Sequence, residues 1–219
     1  MSIESLYPFL YEDKSDLNAV LEQVRASTVA KAAEIAELRA MIAKQDGARL
    51  EACASEAAQR IRNGGRLFAF GNGGSATDAQ QLATLFLSNG LPAFALGNDT
   101  AIVTALGNDI GVEVVFARQL ASFSGGAAGA RNDIAVGLST SGNSANLLRA
   151  FDEAGRRGML TIGMAGYDGG KMAELETIDY LFVQPSTSIH RIQEAQTTTY
   201  QVFWELTQEG VSHVPRHTG

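Results

Sequence analysis

Residues 66–87 read RLFAFGNGGSATDAQQLATLFL. The run Arg66-Leu-Phe-Ala-Phe70 has the length and apolar character of a short buried strand. It passes without a spacer into Gly71-Asn-Gly-Gly-Ser75, and helix-forming residues follow from Thr77 to Leu87. Strand, glycine turn and helix make the opening half of a βαβ unit. The same succession recurs downstream. Pro92-Ala-Phe-Ala-Leu96 reads as a second strand, followed by a helix through Ile102 and Leu106, and Val112 to Ala121 reads as another helix. Ser122 to Arg131 is a Gly/Ala-rich loop. Asp133-Ile-Ala-Val-Gly-Leu138 is a third strand, leading through Ser139-Thr-Ser-Gly-Asn-Ser144 into a helix from Ala145 to Arg156. Met159 to Gly163 and Tyr180 to Val183 are the fourth and fifth strands, and a terminal helix runs from Ile189 to Glu209. Such alternation predicts an α/β fold with a parallel sheet covered by helices on both faces. Sheets of this kind bind ligands at the carboxyl ends of the strands, where the strand order reverses. The two unusual loops, 71–75 and 139–144, fall there.

Upstream, Ser15 to Lys44 contains no Gly or Pro and is rich in Ala, Leu, Glu and Lys, which predicts a long helix. Leu17, Leu21, Val24, Ile35, Leu38 and Ile42 recur at helical spacing, interrupted by Thr28 and Lys31, so a long coiled coil is not expected. Asp46-Gly47 reads as a break before a second helix from Ala48 to Arg62. The organisation expected is a helical extension over residues 1–46 that serves oligomerisation, a domain over 47–209, and a frayed tail over 210–219.

The chain has 219 residues, with a formal net charge of −7. Such a balance argues against a nucleic-acid surface, which needs clustered Lys and Arg, but leaves room for an anion pocket of backbone amides. Cys53, the single cysteine, excludes an internal disulfide and reads as a small buried hydrophobe. No apolar run reaches the ~18 residues of a membrane span, and MSIESLYPFLYEDK lacks a basic leader followed by an apolar core. The expectation is a cytoplasmic protein with no membrane segment.

Loop 71–75 offers consecutive amides at a helix start, an anion cradle if the amides are free and a plain tight turn if they are not. The G-x-G-x-x-G nucleotide fingerprint has glycine where Ala76 stands, but it also admits alanine there, so Ala76 weighs only modestly against a nucleotide. Loop 139–144 carries Ser139, Thr140, Ser141 and Ser144 around Gly142. One hydroxyl would satisfy an N-cap, so four point instead to a dianion bound by donors without Lys or Arg.

Taken together, Gly71-Asn-Gly-Gly-Ser75, Leu138-Ser-Thr-Ser-Gly-Asn-Ser144, Gly166-Tyr-Asp-Gly-Gly-Lys-Met172 and Arg191-Ile-Gln-Glu194 resemble the phosphoheptose isomerase branch of the sugar isomerase (SIS) family, with Asn108-Asp109 where that family has an Asn-Asp pair. The resemblance spans residues 48–209. It implies a three-layer, flavodoxin-like five-stranded parallel sheet and a homotetramer bundled through N-terminal helices. It also implies a phosphorylated sugar as ligand, in a site completed by neighbouring subunits. By position, Ser139, Thr140, Ser141 and Ser144 would bind phosphate and Asn72, Gly73 and Ser75 would line the sugar, with Asn108, Asp109 and Gln193 also in the site.

This sequence departs from the family at its chemistry. The resemblance implies a His and a Glu four apart on the helix after the glycine loop, and a Gln and a His eight apart on the last helix. The matching positions here are Gln81, Leu85, Gln193 and Gln201. Leucine neither takes a proton nor binds a metal, and an amide is no acid or base near neutral pH. The family's zinc site is therefore expected to be absent, with no cofactor in its place. His190 and Glu194, four apart, are the candidates for a replacement base; the plainer reading makes His190 a surface residue and pairs Glu194 with backbone or an arginine. Two functions stay open: a phosphosugar-binding protein with impaired or rearranged isomerase chemistry, or a non-catalytic regulatory or partner-binding protein on the same scaffold, similar to the branch that associates with the bacterial replication initiator.

Overall fold

The computed structural model describes residues 17–123 and 130–212. The loop expected over 122–131 and the tail expected over 210–219 fall partly outside the described residues. Helix α1 (Leu17–Arg62) is followed by β1 (Leu67–Gly71), α2 (Gly74–Ser88), β2 (Ala93–Ala95), α3 (Thr100–Asp109), a 3₁₀ turn and α4 (Val115–Phe123). Then come β3 (Ile134–Leu138), α5 (Ala145–Arg156), β4 (Leu160–Gly166), a second 3₁₀ turn (Gly170–Glu174), β5 (Tyr180–Gln184) and α6 (Ile189–Ser212). All five strands are parallel, in the order β2-β1-β3-β4-β5.

Strand residues alternate between two cores. Leu67, Ala69, Ile134, Val136, Ile162 and Phe182 face one core, shared with α1, α2 and α6. Phe68, Phe70, Ala135 and Ala165 face the other, shared with α4 and α5. Every residue of β1, β3 and β4 is buried, as a parallel sheet covered on both sides requires. Cys53 lies in the first core, where burial, and then the nearby Glu56, push its thiol pKa far up, so it acts as a packing residue.

Three sequence expectations need correction. The chain does not break at Asp46-Gly47, because α1 is continuous from Leu17 to Arg62. One glycine in a helix interior costs about 1 kcal/mol. Burial of Ile42 and Leu50 on either side, with the Arg49 Nη1 to Asp46 Oδ1 bond of 2.9 Å across the turn, outweighs it. Helix α2 starts at Gly74 and not at Thr77, because the glycine loop itself supplies its first turn. The terminal helix continues through Gly210 to Ser212, where Arg62 Nη1 bonds the Gly210 carbonyl. The chain divides into two compact units, residues 1–37 and 38–219, and the division falls inside α1.

Candidate functional site

Strand order reverses between β1 and β3: the chain leaves β1 for β2 on one side and leaves β3 for β4 on the other. Gly71 and Leu138, the last residues of these two strands, are register partners, so loops 71–75 and 139–144 begin side by side. A crevice at such a reversal is the ligand position of open α/β sheets. Both loops open helices, α2 and α5, whose first amides have no intrahelical partner and whose dipoles place positive potential there.

Neither helix start is capped by a side chain. Gly73 is the N-cap of α2, and Ser144, the N-cap of α5, makes no side-chain cap bond. The hydroxyls in loop 139–144 serve the loop instead. Ser139 Oγ accepts the Gly142 N–H at 3.0 Å, and Ser141 Oγ accepts the Asn143 N–H at 3.3 Å. Each oxygen is oriented by a bond it accepts, which leaves its proton to be donated elsewhere. Ser139 is buried, whereas Thr140, Ser141 and Ser144 are partly exposed.

The segment 166–172 braces this loop. Gly166 N–H donates to the Thr140 carbonyl, Met172 N–H donates to the Gly142 carbonyl, and Lys171 N–H donates to Asn143 Oδ1, each at 3.0 Å. Gly142 has φ +66°, and a Cβ there would lie 2.0 Å from the Gly169 carbonyl oxygen, so the fit admits only glycine. On the α6 side, the fully buried Gln196 donates Nε2 to the Ser139 carbonyl at 3.0 Å. These bonds brace the loop from within the protein, the preorganisation that limits the entropic cost of binding.

Asn72 and Asn146 tie the two loops together. Each amide donates to the other's Oδ1 at 2.9 Å. Asn72 therefore borders the crevice with its amide already paired, Gly73 is exposed in it, and Ser75 is buried beneath the glycine turn. Gln193, on α6, packs against Gly74. Asn108 and Asp109 close α3 on the surface, where Asn108 Nδ2 donates to Asp109 Oδ1 at 2.8 Å; among the described residues neither bonds to either loop. His190 is exposed, and Glu194 accepts from Arg191 Nη1 at 2.5 Å, so the structure does not assemble a His190–Glu194 pair. Sequence reasoning missed Asn146, Gln196 and Asp78; their partners are 57 to 122 positions away along the chain, and no local pattern marks them.

The positions that match the family's chemistry lie on α2 and α6. Gln81 is exposed on α2, Leu85 packs onto the first core, and Gln201 is partly buried on α6. Three amides and a leucine are not the thiolate, imidazole and carboxylate donors that hold zinc. Among the described residues, no group of three His, Cys, Asp or Glu side chains converges.

The SIS domain profile matches residues 30–166. The chain belongs to the SIS family, in its phosphoheptose isomerase branch. It is 40% identical over 179 residues to a phosphoheptose isomerase of Aneurinibacillus thermoaerophilus, covering 78% of this chain and 87% of that one. A phosphoheptose isomerase of Burkholderia pseudomallei is 37% identical over 205 residues, covering 91% and 98%. Among solved structures, the phosphoheptose isomerase GmhA of Neisseria gonorrhoeae superposes with a TM-score of 0.75 at 35% identity, covering 83% of this chain and 97% of that one. The SIS match takes in both loops and the sheet from β1 to β4. No helix among the described residues of this SIS protein is long and apolar enough to cross a membrane.

Proposed function

We propose that this SIS protein binds a phosphorylated sugar in the β1/β3 crevice, with the phosphate held by loop 139–144 and the start of α5. The observation that carries the proposal is the use of the hydroxyls. Ser139 and Ser141 are oriented by bonds within the loop, and Ser144 occupies an N-cap without capping, so the hydroxyl cluster is not accounted for by helix capping. The phosphoheptose isomerase names of its relatives supply the ligand class.

Aldose–ketose isomerisation moves a proton between adjacent carbons and needs an acid–base group there. Leu85, turned onto the core, favours binding without the inherited chemistry. Calorimetric titration with sedoheptulose 7-phosphate, and an assay of aldose formation from it, test both parts. Saturable binding with no turnover is expected. Turnover would overturn the loss of chemistry, and absence of binding would overturn the whole reading. No zinc is proposed for this site: metal analysis of chelator-free protein is expected to find none in stoichiometric amount. One zinc per chain, lost on substituting Gln193, would reverse that.

The protein is further proposed to be a homo-oligomer, a tetramer by family resemblance, associating through α1. A phosphorylated sugar is an anion that does not cross a bilayer unaided, which makes the cytoplasm the compartment proposed.

A further inference from the structure

Helices α4 and α5 lie side by side over the second core, on the opposite side of the sheet from α6 and the later part of α1. Between them runs an open groove of about 860 Å³. Its walls follow from helical periodicity. Val114, Ala117, Arg118 and Ala121 line it from the α4 side, and Arg149, Asp152, Glu153, Arg156 and Arg157 from the α5 side. Each set steps by three and one, the stripe that one face of a helix presents. The α5 stripe covers two turns, about 12 Å. Apart from Ile110, just past α3, no other element among the described residues lines the groove.

Four arginines and two carboxylates line this groove, an excess of two positive charges in a chain whose net charge is −7. Both carboxylates are already engaged. Glu153 accepts Arg156 Nη2 and Arg157 Nε, each at 2.5 Å, and Asp152 Oδ1 accepts the Thr177 hydroxyl at 3.1 Å. Arg118 and Arg149 are exposed, and among the described residues their guanidinium groups make no hydrogen bond or ion pair. Cations in the last turn of a helix complement its dipole, which accounts for Arg156 and Arg157. It does not account for Arg149, two turns before the end of α5, or for Arg118 in the middle of α4. Past the end of α5 the positive surface continues, where Arg60 and Arg131 join Arg156 and Arg157 around a second depression. Between the charges the groove is apolar: Val114, Ala117 and Ala121 are half-buried and Ile110 is 55% exposed.

A small anion would engage the arginines and leave this apolar strip in water. An amphipathic helix uses both features. Laid between two helices, it sets apolar side chains at i, i+3, i+4 and i+7 on the strip and acidic ones against the arginines of either wall. We propose that the α4/α5 groove docks an acidic amphipathic helix of a partner protein, with Arg118 and Arg149 as the charges it neutralises. The proposal does not rest on the phosphosugar reading. Loops 71–75 and 139–144 lie at the carboxyl ends of the strands, whereas α5 leads away from them and the groove follows its later turns. Association of copies through α1 would also leave the groove open.

The probe is a fluorescent synthetic helix with leucines along one face and glutamates along the other, titrated by anisotropy into the full chain. A copy with lysine for every glutamate and a copy with serine for every leucine are the comparisons. Wild type is expected to bind the glutamate helix at least tenfold more tightly than either copy. Arg118→Glu combined with Arg149→Glu should weaken the glutamate helix about tenfold or more and tighten the lysine copy, as reversal of contacting charges requires. Arg25→Glu combined with Lys44→Glu, the same change of charge on α1, should alter neither. Wild type that does not distinguish the glutamate and lysine helices, or equal loss in the α1 variant, would overturn the proposal. Full affinity for the serine copy would show that the groove takes charge alone, and would also overturn it. So would a lower oligomeric state of the Arg118/Arg149 variant in light scattering, which would make the groove a contact between copies. If thermal unfolding shows that variant to be unfolded, Arg118→Gln with Arg149→Gln carries the test, with a smaller loss for the glutamate helix. The calorimetric titration with sedoheptulose 7-phosphate is unaffected by failure here, so the two readings fall separately.

Discussion

Ser144 stands where a helix usually takes a capping hydroxyl, yet α5 receives no side-chain bond from it. Its neighbour Ser141 spends an acceptor, and not its proton, on Asn143. Both hydroxyls are therefore placed to donate to an anion, and charge-assisted bonds of that kind are worth about 1.5–3 kcal/mol each. Ser141→Ala combined with Ser144→Ala should raise the dissociation constant for inorganic phosphate at least tenfold, on the order of that range. Unchanged calorimetric affinity would remove loop 139–144 from the site. Asp78 makes a different prediction, about pH. Its folded pKa is raised, mainly by burial, so the folded state holds this proton more tightly than the unfolded chain does. Stability from this group is present below the unfolded carboxylate pKa of about 4 and is lost as pH rises through the folded value. Asp78→Asn, which does not titrate, should gain in melting temperature relative to wild type as pH is raised from about 4 into that window. A difference that stays constant across the series would show that Asp78 is not desolvated.

Between residues and fold stand the elements that hold the two loops in register. β1 and β3 are locked at their beginnings as well as their ends. Asp133, just before β3 and buried, accepts Arg66 Nη2 at 2.7 Å, Nε at 3.2 Å and the Arg66 backbone N–H at 2.9 Å. The same guanidinium lies 5.1 Å from the Phe68 ring centre. At the far end Asn72 and Asn146 close the pair. Removing one partner of a buried ion pair leaves the other uncompensated. Asp133→Ala is expected to cost about 3 kcal/mol in urea unfolding, the lower end for buried pairs because Arg66 keeps some solvent. A cost below ~1 kcal/mol would mean that the pair behaves as a surface ion pair. The sequence showed the strands and their order of occurrence, and it placed α5 at Ala145–Arg156, the bounds observed. It did not show the clamp, because Arg66 and Asp133 are 67 positions apart and meet only through the sheet.

At the scale of the whole molecule, the unit 38–219 is a sheet with two filled faces, and both cores are complete within it. The unit 1–37 is different in kind. Its described part is a single helical stretch, with Leu21, Val24 and Val29 all exposed at 57–66%. A helix of this sort gains most of its stability from packing an apolar face, which a second copy of the same helix would provide under closed symmetry. Replacing Leu21, Val24 and Val29 together by Glu in the full chain should lower the oligomeric state seen in light scattering. An unchanged assembly, or a monomeric wild type, would rule out α1 as the association surface. The strand order carries the other consequence at this scale. Because β1 and β3 are neighbours while β2 and β4 lie outside them, two helix starts far apart in sequence face one crevice.

The sequence by itself determined the class of fold, since strand-length apolar runs alternating with helical ones have few other solutions. It also determined the chemical character of the site: hydroxyls and glycines at two strand ends, and no acid–base pair at Gln81, Leu85 or Gln201. These are local properties, and local pattern is what a sequence displays. Tertiary structure decided the rest. It made α1 one helix, because burial around Gly47 outweighs a propensity cost that sequence reading counts alone. It turned Gly169 and Gly170 into the brace of loop 139–144, joined Asn72 to Asn146, and set Glu194 against Arg191 and not His190. And it brought the Tyr200 hydroxyl to Asp78. Each of these depends on distance in space between side chains whose separation along the chain or orientation on a helix is fixed only when the sheet and its two cores form, and hydrogen bonds, unlike apolar burial, need that geometry to within a few tenths of an ångström.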